Sequence, residues 1–532
     1  MQQQELERRW ANAQRSEAQG DLAQARMQYE AILAMAPRQP MVRLRLSDLA
    51  QRDGRYRDAR REAIAAADLV SDMRRWDMLP FATLRLLAFD ERDRVRALIL
   101  GADWSQPAVL AQSAVLSQHL WLIDEFDAAL RLIDTAMQRA QPHHLLHYSR
   151  ANALRYSGRM REATEEFERS IALAPAYPYA HWSLAYHEKS DPPGRRVARV
   201  RQALEANAQD PIAQAHLRYA LFKELDDAGD AEAAWRELEE GARLMRSHSR
   251  YDAVAEARGI DALLRLPEVA PPIVDPGVRR DGSGKAHTPL FVVGMPRTGT
   301  TVLERILGNH ANVASAGELN AFAHALSEAG DLFVSSPPDA AMVERLSRVD
   351  FDLVGREYLA RTEPRYGAKT HLVDKNPLNV FFAGFIARAL PSARILCLVR
   401  DPVDACFSNF KELFEGQAYG YSYDLGELAG HALRFRALVA HWERTLPGRF
   451  MAVSYEALVS DPARTSEAVM AFCGLPFDAA AVDITRNTTP SSTASSSQVR
   501  EPIHARAVGA WRRYAGQLAP LVERLGAAEA AT

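Results

Sequence analysis

The chain has 532 residues, more than the roughly 100 to 200 that a single core organises, so two or more domains are expected. Hydrophobic residues at 47% and charged residues at 25% exclude both a disordered polyelectrolyte and a membrane-embedded body. With 65 basic against 68 acidic side chains the formal charge is -3, so no global field recruits nucleic acid or an anionic membrane, and any anion site must be local.

The N-terminal MQQQELERRW lacks the apolar core of a signal peptide, and no run of 18 apolar residues is present. The three cysteines, Cys397, Cys406 and Cys473, fit neither a zinc site nor a disulfide framework. A cytoplasmic, reducing location is expected.

Residues 1–265 carry a recurrent pattern. A turn residue is followed five positions later by alanine at Gly20/Ala25, Gly54/Ala59, Asp124/Ala129, Gly158/Ala163 and Gly229/Ala234, spaced by about 34 residues or about twice that. Leu22, Tyr56, Phe126 and Met160 lie two after the turn residue, Tyr29 and Phe167 nine after it, and Pro37, Pro175 and Pro211 close units. Glycine tolerates the left-handed conformation that ends a helix, alanine lets two helix axes approach, and proline stops the second helix. The pattern resembles the tetratricopeptide repeat, which implies six or seven helical hairpins over residues 5 to 265, degenerate around Met78 to Asp103 and Ser190 to Arg195, stacked into an α-helical solenoid. An irregular all-helical domain is the alternative.

Residues 266–287, with Pro267, Pro271, Pro272 and Pro276, read as a linker. From residue 288 to 532 the texture changes. Apolar runs such as Pro289-Leu-Phe-Val-Val and Ala393-Arg-Ile-Leu-Cys-Leu-Val alternate with longer helical segments, which predicts an α/β domain with a parallel sheet.

The segment FVVGMPRTGTTVLERIL, residues 291–307, reads as strand, tight loop and amphipathic helix, a P-loop-like cradle for phosphate. Its Gly-x4-Gly spacing is that of a Walker A loop, but Thr300 stands where the lysine belongs, which argues against a nucleoside triphosphatase or small-molecule kinase. Residues 393–409, ARILCLVRDPVDACFSN, read as a strand closed by Arg400 with Ser408 on the first turns of the next helix.

Together these segments resemble PAPS-dependent sulfotransferases. The resemblance implies that Pro296, Arg297, Thr298, Gly299, Thr300 and Thr301 hold the 5′-phosphosulfate, that Arg400 and Ser408 hold the 3′-phosphate, and that Tyr455 lies by the nucleotide on a V-x-Y-E-x-L strand. The pattern is most similar to the protein-tyrosine sulfotransferase branch. That similarity implies Glu318, in Ala-Gly-Glu-Leu, as catalytic base, with Arg297, Lys375 and Ser495 stabilising the transferred sulfuryl group. His310 is the rival base, and helix capping the plainer role for Glu318. The branch's basic residue before the closing tryptophan is replaced by Ala510, with Arg512 or Arg513 as substitutes.

PAPS is then the co-substrate and no metal is needed. The expected acceptor is a hydroxyl, a tyrosine of a peptide or protein held by the repeats, or alternatively a glycan, lipid or small metabolite. A homodimer and a non-catalytic repeat scaffold remain open, and neither nucleic acid nor membrane is an expected partner.

Overall fold

The computed structural model describes residues 2–139, 141–269, 287–414, 416, 418–487 and 501–529. Most of the expected linker, 270–286, lies outside these residues. The chain forms two compact units, Met1–Glu166 with Ala323–Val334, and Phe167–Phe322 with Ser335–Thr532.

Over Met1–Glu166 the chain is helical, and its helices pack in consecutive pairs. Gln2–Ala18 packs on Leu22–Met35, Pro40–Arg52 on Tyr56–Asp72, and Ser113–Trp121 on Phe126–Met137. The turns between partners hold Gly20, Gly54 and Asp124 at φ 79°, 72° and 65°. The second helix of each pair brings a fully buried alanine, Ala25, Ala59 or Ala129, to the contact. One side-chain bond recurs within two of these pairs: Ser47 Oγ donates to Ala59 O at 2.6 Å, and Ser117 Oγ donates to Ala129 O at 3.3 Å. A serine with no bulk beyond its hydroxyl both permits the close approach and satisfies a carbonyl inside it.

The second unit begins with further helices, among them Pro178–His187, Pro211–Ala228, Ala231–His248 and Ala253–Leu263. Gly229, at φ 92°, caps Pro211–Ala228, and a Cβ on Gly241 would meet the Tyr219 ring at 3.0 Å, so these two helices are in near-backbone contact. A five-stranded parallel sheet follows, made of β1 (Thr288–Gly294), β2 (Val313–Ser315), β3 (His371–Lys375), β4 (Arg394–Val399) and β5 (Phe450–Ser454), in the order β2-β3-β1-β4-β5. Leu290, Phe291, Val292 and Val293 are all fully buried, because both faces of the central strand are covered, and this is why its sequence is continuously apolar rather than alternating.

The order makes β1 the switch point of the sheet. The chain leaves β1 toward β2 and β3 on one side, then crosses to β4 and β5 on the other. Ligand sites of open parallel sheets lie at the carboxyl ends of strands where the winding reverses. Here that place is the loop after Gly294, flanked by the ends of β3 at Lys375 and β4 at Val399. Among the described residues no helix is long and apolar enough to cross a membrane.

Candidate active site

Strand β1 runs directly into the loop Met295–Gly299 and then helix Thr300–Asn309. Arg297 and Gly299 both sit at positive φ, 63° and 97°, so the backbone reverses tightly before the helix starts. Thr298 Oγ1 donates to Met295 O at 2.7 Å and braces the reversal from inside. The loop leaves no room for side chains at its glycines: a Cβ on Gly294 would lie 2.8 Å from Leu398 O, and one on Gly299 would lie 2.5 Å from Tyr455 Cδ2. The N-terminus of Thr300–Asn309, with Thr300 and Thr301 buried in its first turn, closes this cradle, and among the described residues its N-cap Gly299 has no side chain to bond the helix N–H groups, the arrangement anion sites use.

The Arg400 element meets the same cradle. Arg400 follows β4, and its Nη1 donates to Arg297 O at 3.1 Å. The guanidinium lies over the Tyr455 ring with Cζ 4.7 Å from the centroid, so Tyr455 touches the glycine loop and Arg400 at once. Tyr455 is not on a strand: β5 ends at Ser454, which accepts from Ala457 N–H and starts helix Tyr455–Ser460. The Arg400 side chain is 6% exposed, and its Nε is buried with no hydrogen-bond partner among the described residues. An unsatisfied guanidinium N–H in a buried position is costly unless a ligand completes it. Ser408 is buried in the last turn of helix Pro402–Phe410 rather than its first turns. Asn409, beside it, donates to Pro296 O at 2.8 Å and locks that helix to the loop.

On the other side of β1, β3 delivers Lys375, whose side chain is 1% exposed. The chain after β2 continues alongside β3, with Ala316 N–H donating to Val373 O and Lys375 N–H to Gly317 O, each at 2.9 Å. That register sets Glu318 opposite Lys375, and the Lys375 ammonium donates to Glu318 Oε1. Glu318 stays half-exposed, at 48% of its side chain, so the carboxylate is both paired and reachable. A helix does begin nearby, at Ala321, but Glu318 is not its first residue. Lys375 also lies 3.9 Å from Glu304 Oε2, and Glu304 Oε1 accepts from Ser315 Oγ at 2.6 Å. His310 is elsewhere, at the far end of helix Thr300–Asn309: its Nδ1 accepts from Asn312 N–H at 3.1 Å and its Nε2 lies 3.2 Å from Pro476 O.

Four charged residues join the site that sequence reasoning did not single out. Glu412 Oε2 lies 3.4 Å from Arg297 Nε. Asp404, buried, lies 3.8 Å from Arg400 and accepts from Gly509 N–H at 2.6 Å and Trp511 N–H at 3.3 Å, which draws the C-terminal segment over Arg400. Lys411 and Glu304 are the others. A usable signal existed for Lys411 and Glu304, since each is one helical turn beyond a motif residue, Ser408 or Thr300. The same spacing holds for Asp404, four after Arg400, and Glu412, four after Ser408, although Gly509, Trp511 and Arg297, their other partners, are distant in sequence.

Of the two expected substitutes near the C-terminus, Arg513 pairs with Asp226 Oδ1 at 2.8 Å, and Arg512 folds back over Trp511 with Cζ 5.6 Å from the ring. Ser495 lies outside the described residues.

Residues 289–479 match the family model described as the Sulfotransferase family. They form a sulfotransferase-fold domain. An uncharacterised protein of Aquifex aeolicus is 28% identical over 408 residues, covering 75% of this chain, which in turn spans 52% of that relative's length. Nodulation protein H of Rhizobium tropici is 25% identical over 203 residues, 35% of this chain and 76% of that protein. Among solved structures, the sulfotransferase domain of the Synechococcus olefin synthase aligns with 43% of this chain and 88% of its own at 19% identity and a TM-score of 0.31. This chain's domain carries its cradle at the carboxyl end of β1, with Arg400 and Lys375 coming from the ends of the strands on either side.

Proposed function

We propose that the chain is a PAPS-dependent sulfotransferase acting on a hydroxyl of a small-molecule or lipid-like acceptor. The carrying observation is that Arg400 Nη1 binds the backbone of the glycine loop while the Tyr455 ring packs on both, so that one nucleotide with two phosphates can span them. The residues suit such a group: the cradle excludes side chains at Gly294 and Gly299, and Arg400 keeps a buried N–H without a partner among the described residues. Pro296 to Thr301 and Arg297 would hold the 5′ end, Arg400 and Ser408 the 3′-phosphate. When bound, PAPS supplies the sulfuryl group.

In this reading Glu318 accepts the proton of the acceptor hydroxyl at its carboxylate, and Lys375, buried at the end of β3, offsets the negative charge that develops on the transferred oxygens; their direct pairing supports the assignment. Because the two are directly paired, the proton acceptor is oriented by the same cation.

An aromatic wall supports the acceptor class. Phe414 and Tyr419 stack at 4.6 Å, Tyr423 OH donates to Phe414 O and accepts from its N–H, both at 3.0 Å, and burial together with the nearby Glu318 charge pushes the Tyr419 phenol up. An apolar surface beside the proton acceptor favours an apolar or planar acceptor over a freely hydrated one. A peptide tyrosine is the second reading. It is favoured by the paired helices with their recurrent Ser–Ala bond, which we read as tetratricopeptide-type hairpins able to dock a protein partner.

Calorimetry should show adenosine 3′,5′-bisphosphate binding more tightly than ATP, and Glu318→Gln should lower transfer from PAPS by roughly 100-fold or more with nucleotide affinity nearly unchanged. Mass spectrometry after reaction with lipid, small-phenol and tyrosine-peptide pools assigns the acceptor. ATP binding the tighter of the two, or full transfer by Glu318→Gln, refutes the corresponding part.

A further inference from the structure

Among the described residues two carboxylates lie beside the Lys375 ammonium, and the reaction outlined above uses only Glu318. The other, Glu304, stands on helix Thr300–Asn309 one turn past the glycine loop, with Oε2 3.9 Å from Lys375 Nζ. Its Oε1 accepts from Ser315 Oγ at 2.6 Å, at the end of β2. The helix lies close against that strand end, since a Cβ on Gly308, four residues on, would be 3.3 Å from Ser315 Cβ. Leu303, Ile306 and Leu307 around Glu304 are fully buried, so apolar packing carries the carboxylate inward. Its place is therefore set by the helix and by β2, independently of Lys375.

The two carboxylates differ in their access to water. Glu304 keeps 10% of its side chain exposed and Glu318 keeps 48%, while the Lys375 side chain that faces both keeps 1%. Neighbouring charges are engaged elsewhere: Asp374, on the other face of β3, accepts from Tyr358 OH at 3.2 Å, and Arg305 donates to Asn487 Oδ1 at 2.6 Å. An ammonium this deeply buried needs a counter-charge to keep its proton. Before transfer either carboxylate supplies it. During transfer Glu318 cannot: as the acceptor oxygen bonds to sulfur and the phosphate keeps the electron pair of the bond that breaks, Glu318 takes the hydroxyl proton and becomes neutral. At that same moment the transferred oxygens need a cation.

We propose that Glu304 is a positioning residue for the transfer, the fixed counter-charge that keeps Lys375 an ammonium while Glu318 is neutral. This rests on the PAPS reading given above, which assigns Glu318 the proton and Lys375 the developing charge. A carboxylate in a largely dry setting acts on a nearby ammonium more strongly than one screened by water. Without Glu304, the bond joining Lys375 to Glu318 offers the ammonium proton a neutral alternative, an amine beside a carboxylic acid, with no cation left for the transferred oxygens. Ser315, by holding Oε1, keeps the other carboxylate oxygen of Glu304 turned to Lys375.

The test is NMR on the full chain with 13C-labelled lysine. The chain has only six lysines, so the Lys375 signal is identified by its loss in Lys375→Met. The chemical shift of lysine Cε distinguishes an ammonium from an amine. At pH 8 wild-type protein and Glu318→Gln, which imitates the neutral base, should both show Lys375 as an ammonium. Glu318→Gln/Glu304→Gln should move that signal at least half-way to the amine position. Glutamine keeps the shape of Glu304 and its bond from Ser315, and unmoved signals from the other lysines show that the double variant is folded. An ammonium signal that persists in the double variant, or is already lost in Glu318→Gln or in wild type, overturns the role of Glu304. Calorimetry with adenosine 3′,5′-bisphosphate tests the reading beneath it separately: a wild-type protein that binds none sinks the PAPS reading, whatever the lysine signals show.

Discussion

Replacing Gly299 by alanine probes the junction on which the site depends. Gly299 has φ 97°, where a Cβ costs about 1–2 kcal/mol. The added methyl would also stand 2.5 Å from Tyr455 Cδ2 and 2.9 Å from Cε2, so the ring must move. Tyr455 cannot withdraw without leaving Arg400, and a cation–π contact of this kind contributes about 0.5–2 kcal/mol. The two effects together come to about 1.5–4 kcal/mol, or roughly a 10- to 700-fold loss of affinity for adenosine 3′,5′-bisphosphate, since about 1.4 kcal/mol corresponds to one decade. Isothermal calorimetry measures it directly. Combining the change with Tyr455→Leu removes the ring overlap but not the backbone strain, and because the ring's contact with Arg400 is gone in that background, introducing alanine there should cost only about tenfold. If Gly299→Ala binds the nucleotide within about threefold of wild type, the loop geometry is not what holds it.

Asp404→Ala should free the segment around Gly509 and Trp511, whose amides then exchange hydrogen roughly 10- to 100-fold faster, because each loses a buried charged acceptor; unchanged exchange contradicts this. Burial alone would raise Glu256, but His431 at 3.0 Å and Arg434 at 2.9 Å hold it below its ordinary value of 4.5. Its folded-state value is depressed, so its contribution is present at neutral pH and is lost as pH falls through that value. Glu256→Gln should therefore lower the urea midpoint at pH 7, with a loss of about 3 kcal/mol, and flatten its decline below pH 5; parallel pH profiles would refute this. Burial pushes the Cys397 and Cys406 thiols up, and Cys473 up to about 12, so none should react with a thiol reagent at pH 8 until denaturant exposes all three. Rapid labelling of the native protein would overturn that.

The sequence by itself determined what a few adjacent residues encode. An unbroken apolar run became β1 because both its faces are covered, and Gly20, Gly54 and Gly229 mark turns because only a residue without Cβ enters the left-handed region cheaply. The glycine loop and the strand closing at Arg400 were visible for the same reason, as local backbone requirements written in consecutive letters. Tertiary structure alone decided what these elements do to one another. Glu318 and Lys375 are 57 residues apart and meet because the stretch after β2 runs in register beside β3. Arg400 reaches Arg297 O across 103 residues because β4 neighbours β1. The turn after helix Pro402–Phe410 is held because Tyr186 and Tyr219, on helices from well before the sheet, donate to the carbonyls of Lys411 and Phe410. Strand order and register are settled by how whole faces bury against each other, a sum over the domain that no window of neighbouring residues contains.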